Sequence, residues 1–109
     1  MDKDLVDVLK SYINIDLEKC SFAEIIVQDC AFHKLRDAIW KIGNVLAEID
    51  QQKIYVAEIK AGFLNANVAY LSIKVLQDRL DIVGYAKEGL INQNTFLKAV
   101  KKLELAIKN

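Results

Sequence analysis

Proline is absent from the chain, and glycine occurs only at Gly43, Gly62, Gly84 and Gly89. Tight turns draw on both residues, so a domain of many short strands is disfavoured and few, long elements are expected. Cysteine is scarce too. Cys20 and Cys30 are too few for a disulfide framework, and both are expected reduced, in a cytoplasm. Long apolar runs are missing, so no helix is expected to span a bilayer, and the acidic start Met1-Asp2-Lys3-Asp4 lacks the apolar region of a secretory signal. Charge of one sign is not in excess: 15 basic residues face 15 acidic ones. That balance sets up no global field toward nucleic acid or an anionic membrane, so no membrane partner is expected.

The motifs of catalysis are missing as well. There is one histidine, and no G-x-S-x-G, Gly-rich phosphate loop, H-E-x-x-H or Glu-x-x-His occurs. No enzyme and no cofactor are expected. The best metal candidates are Cys20, Cys30 and His33, with Cys30 and His33 three apart and able to share a helical face. Structural zinc normally takes four ligands, so packing of Cys30 in a core and exposure of His33 is the reading preferred.

What the chain does hold is apolar residues at 53%, slightly above the usual 45–50% of soluble domains. The 109 residues make one domain, 1–109, and the surplus points to a homo-oligomer. Charge is uneven along the chain. Residues 1–50 carry six basic and ten acidic groups, a net of −4, and residues 51–109 carry nine and five, a net of +4.

The apolar pattern is read as helical. Phe32, Leu35, Ile39, Ile42, Leu46 and Ile49 recur at spacings of three and four, behind a capping-box pattern at Ser21 and Glu24. Ile54, Ala57, Ala61, Leu64, Val68, Leu71 and Val75 continue the spacing after a turn at Asp50-Gln51-Gln52-Lys53. Gly89 then suits a helix end, and Asn92 or Asn94 caps a last helix with the stripe Phe96, Val100, Leu103 and Ile107. The expectation is an all-α antiparallel bundle of about four helices, 2–18, 22–49, 52–88 and 94–108. The third outruns its neighbours and must bend between Gly62 and Asn67 or expose apolar surface. The alternative is α+β, with a hairpin at 53–76: residues 53–60 and 68–76 are rich in β-branched and aromatic residues, and Asn65-Ala66-Asn67 suits a turn.

Two stretches resemble known families. Leu17, Phe22, Val27 and Phe32 fall five apart, with Ile15, Cys20, Ile25, Cys30 and Leu35 two residues before successive centres. This segment, 15–35, resembles the pentapeptide-repeat family, which implies one coil of a quadrilateral β-helix inside an α+β protein. Residues 68–107, with Gly89-Leu90-Ile91-Asn92 followed by Phe96, look like the small four-helix-bundle family of ribosomal-RNA intervening-sequence proteins and retroelement accessory proteins. That resemblance implies a ring-forming accessory protein with nucleic acid or a reverse transcriptase as partner.

The function expected is a non-catalytic protein–protein interaction module, a small adaptor, inhibitor or immunity-type protein that self-associates. The alternative is a nucleic-acid-associated accessory bundle. Trp40, Tyr12 and Tyr85 are the aromatic contact candidates, and Lys98, Lys101 and Lys102 form a basic face on the last helix.

Overall fold

A computed structural model describes residues 2–15, 19–87 and 94–108, and its architecture is α+β. The order is α1 (Lys3–Tyr12), β1 (Ser21–Ile26), α2 (Phe32–Ile42), β2 (Gly43–Ile49), β3 (Ile54–Ala61), β4 (Asn67–Val75), β5 (Arg79–Lys87) and α3 (Thr95–Lys108). A short 3-10 turn at Phe63–Asn65 joins β3 to β4. The strands form one sheet in the order β1-β5-β4-β3-β2, antiparallel throughout.

The four-helix bundle is therefore overturned. Only the last of the four expected helices survives nearly at its bounds, as α3. The 2–18 helix shortens to α1, and the 22–49 helix resolves into β1, α2 and β2. The 52–88 helix is three strands, β3, β4 and β5, the first two forming the hairpin of the alternative reading. No overlong third helix exists to demand a bend.

The physical cause is burial on both faces of the central strands. Tyr55, Ala57, Ile59 and Ala61 of β3, Ala69, Leu71 and Ile73 of β4, and Leu80 and Ile82 of β5 face α2 and α3, which contribute Leu35, Ala38, Ile39, Phe96, Ala99, Leu103 and Ile107. The intervening Ile54, Val56 and Val83 face α1 and meet Leu5, Val6 and Leu9. A strand covered on both sides needs no polar alternation, so it reads as a nearly continuous apolar run. Any such run contains residues three and four apart, which imitate a helical seam.

Local signals hold better. Asp2 caps α1, its carboxylate accepting from the N–H of Asp4 at 2.9 Å and of Leu5 at 3.4 Å. The turn at residues 50–53 forms, with the N–H of Lys53 donating to the Asp50 carbonyl at 3.2 Å, but it joins two strands. Ser21 and Glu24 lie within β1, not at a helix start, and α2 begins after Ala31 with no side-chain cap. The expected ends at Gly89 and Asn92 lie outside the described residues.

The pentapeptide-repeat coil is also excluded. Its span folds as β1 and the first turn of α2, with Ile25 inside the α2/α3-side core and Ile15 on the α1 side of the sheet; Leu17 lies outside the described residues. The four-helix-family resemblance fails on β4 and β5, which occupy the stretch that family would fold as its third helix.

Candidate interaction surfaces

Cys20 packs with the α1-side cluster and Cys30 with the α2/α3-side cluster, so the sheet stands between them. His33 is exposed at the start of α2. Among the described residues no group of three or more His, Cys, Asp or Glu is placed to hold a metal ion. Burial raises both thiols above their ordinary range, with Lys10 and Lys34 respectively pulling the other way. Cys30 donates weakly to the Ala31 carbonyl at 3.7 Å. A raised thiol is a poorer nucleophile and a poorer ligand, which suits packing.

The aromatic and basic candidates do not converge. Tyr12, at the end of α1, and Tyr85, on β5, lie on the α1 side, where Tyr85 sits in register with Tyr70. Trp40 is half exposed on α2, in the opposite layer. Lys98, Lys101 and Lys102 share α3, and Lys102 is tied to another element, donating to the Lys60 carbonyl at 3.0 Å and to Oδ1 of Asn65 at 2.6 Å. Lys101 reaches Glu104 at 3.4 Å.

Sequence reasoning missed the two sheet edges, which differ sharply. The edge at β2 is guarded. A bulge between Val45 and Ala47 breaks its register, and Arg36 on α2 clamps Glu48 with two donors at 2.7 and 2.8 Å. Hydrogen bonding from Arg36 holds the Glu48 carboxyl below its usual range. Beside them Tyr55 donates to the Phe32 carbonyl at 2.9 Å and stacks on the Phe32 ring at 4.3 Å between centroids. Burial first, then the Glu48 carboxylate, pushes the Tyr55 phenol up to about 12.

Among the described residues the edge at β1 has neither the bulge nor the double clamp. Ser21–Ile26 carries no bulge, lysine or proline, and among the described residues it pairs only with β5. Its α1-side positions are Phe22, Glu24 and Ile26; Phe22 is 40% and Ile26 61% exposed. Arg79 on β5 reaches toward Glu24 at 4.0 Å while bonded to Asp81 at 2.8 Å. The sequence cue was present, since Phe22, Glu24 and Ile26 alternate with Ala23 and Ile25, but the helical capping pattern at Ser21 and Glu24 competed for the same residues.

Two concavities lie among the described residues. One, of about 330 Å³, lies at the start of α3 among Lys19, Ser21, Phe22, Thr95 and Leu97. The other, a groove of about 410 Å³ between α2 and α3, is lined by Lys41, Ile42, Lys102, Leu105 and Ala106. No helix among the described residues is long and apolar enough to cross a membrane.

No protein-family model matches this chain, and no curated protein or solved structure matches it either.

Proposed function

We propose that this chain is a non-catalytic protein–protein interaction module that self-associates by pairing β1 with β1 of a second copy. The observation that carries the reading is the contrast between the guarded β2 edge and the unguarded β1 edge. Unpaired backbone donors and acceptors on a flat, apolar edge template another strand, and soluble proteins normally blunt such edges.

Symmetry restricts how two copies meet. Across a twofold axis perpendicular to the sheet each face stays continuous, so a residue pairs only with one on its own face. Centring the axis on Glu24 sets two carboxylates opposite each other, which is unfavourable. Centring it on Ala23 places Phe22 opposite Glu24, and centring it on Ile25 places Glu24 opposite Ile26. Either register covers apolar surface and extends the sheet to ten strands. The setting proposed is the cytoplasm, supported by Cys20 and Cys30 lying on opposite sides of the sheet, where they do not bridge each other.

Light scattering after size exclusion, across a range of protein concentration, tests the reading. The expected result is a dimer that Ile26→Lys and Phe22→Lys convert to folded monomer. A monomer at every concentration overturns it, as does a dimer that both substitutions leave intact.

A further inference from the structure

The β3–β4 hairpin ends in a tip that combines backbone strain with apolar exposure. Gly62 adopts φ 82° and ψ −163°, a region essentially restricted to glycine, and Leu64 and Asn65 follow at φ 54° and 55°. Asparagine tolerates left-handed backbone, whereas leucine there crowds its Cβ against the next carbonyl. Burial does not compensate: Phe63 is 68% and Leu64 83% exposed.

The tip is nevertheless held in place. Lys102 bonds the Lys60 carbonyl and the Asn65 side chain, and Asn67 donates to the Thr95 hydroxyl at 3.0 Å. These ties run α3 alongside the tip, with Thr95, Lys98 and Lys102 on one helical stripe. The next stripe outward is Leu97, Lys101 and Leu105, whose leucines are both more than half exposed. Two projecting apolar side chains thus lie beside the α3 lysines Lys98, Lys101 and Lys102. The acid on this helix, Glu104, is engaged by Lys101 and Lys108.

We propose that the Phe63–Leu64 tip and the outward face of α3 dock on an anionic lipid bilayer. Apolar residues on a convex tip enter the acyl boundary without needing a complementary pocket, while lysines keep their stems in apolar surroundings and their ammonium groups at the headgroups. Nucleic acid fits this group less well, because aliphatic Leu64, Leu97 and Leu105 do not stack on bases and no arginine belongs to it. The neutral whole-chain charge conceals the field. α3 alone carries four cations and one anion, a net +3 in a chain that sums to zero. Docking of this kind is weak and reversible, on the order of the 10⁴ M⁻¹ of a single myristoyl chain. The Phe63–Leu64 tip is not part of β1, although Leu97 at the start of α3 shares a concavity with Ser21 and Phe22.

Co-sedimentation of the full chain with phosphatidylcholine vesicles, with and without phosphatidylserine, tests the proposal. Binding is expected only with phosphatidylserine and is expected to weaken as salt rises. Leu64→Asn is expected to lower it roughly tenfold or more while leaving the thermal midpoint unchanged or raised, since asparagine suits the left-handed backbone. Lys98→Gln is expected to cost about fivefold. In a Trp40→Phe background, Phe63→Trp is expected to show blue-shifted emission on anionic vesicles and quenching by brominated lipid. Absence of wild-type binding to anionic vesicles overturns the proposal, including the case in which an acidic protein occupies the tip. Binding that survives both Leu64→Asn and Phe63→Ser overturns it equally.

Discussion

The two faces of the sheet are covered by different amounts of helix, and the difference in how each cover is located is instructive. Two helices, α2 and α3, lie on one face and meet the odd-numbered residues of β3 and β4 in a broad apolar layer, with polar ties from Tyr55 to the Phe32 carbonyl and from Asn67 to Thr95 at its margins. One ten-residue helix, α1, lies on the other and is positioned partly by polar anchors. The buried Ser72 hydroxyl donates to the Leu5 carbonyl at 2.8 Å, and Asp2 pairs with Lys74 at 3.5 Å. A broad apolar interface fixes its helices chiefly by shape with hydrogen bonds at its margins, whereas a narrow one depends more on hydrogen bonds that only one placement satisfies.

The strongest way to break this comparison is to cut one fully buried leucine on each side. Leu103→Ala and Leu9→Ala are each expected to cost about 2–5 kcal/mol in denaturant unfolding. They should differ in kind. Loss at Leu103 is expected to lower protection of the whole sheet, while loss at Leu9 releases α1 first, seen as amide exchange in α1 with β4 still protected. Equal exchange patterns would erase the distinction between the faces.

A smaller effect tests the closeness of packing on the two-helix side. Gly84 lies beneath Phe96, and a Cβ built there comes 2.5 Å from both the Phe96 ring and Leu71 Cδ2. Gly84→Ala is therefore expected to destabilise by about 1–3 kcal/mol, with partial rescue by Phe96→Leu in thermal unfolding. On the opposite side, Ser72→Ala is expected to cost about 1 kcal/mol by removing a hydroxyl that serves both the Leu5 and Val83 carbonyls.

The smallest effect sharpens the parallel contrast between the two edges. Arg36 depresses the folded-state pKa of Glu48, so this bridge stabilises above the ordinary carboxylate range and its contribution disappears as pH falls through the depressed value. Glu48→Gln is expected to flatten the acid limb of the stability–pH curve slightly. At the other extreme Tyr55, raised to about 12, contributes stability present below pH 10 and lost as pH rises toward 12. Tyr55→Phe, followed by alkaline unfolding, is expected to remove that decline.

Legibility followed the range of the interactions. The 50–53 turn, the helical stripe within α2 and most of α3 depend on neighbours a few residues away, and each was readable. The hairpin at 53–76 was readable from β-branched and aromatic residues, yet a three-four seam over the same residues outweighed it. Of the candidate contact residues, the lysines of α3 lie on one surface, but Tyr12, Tyr85 and Trp40 are divided between the two layers. Phe22, Ile26, Phe63 and Leu64 drew no notice as exposed residues, because an apolar residue signals burial until the fold leaves it outside.

Local chemistry by itself determined the turn at 50–53 and the coiling of the short segments α2 and α3. Tertiary structure decided the rest: that the longest apolar stretch is three strands, that among the described residues the β2 edge carries a bulge and an arginine clamp and the β1 edge neither, and that positive charge gathers on α2 and α3. The reason is that hydrophobic burial is non-directional. A run of apolar side chains states how much surface must leave water, and only the layers packed above and below it decide whether that surface belongs to a helix or to both sides of a sheet.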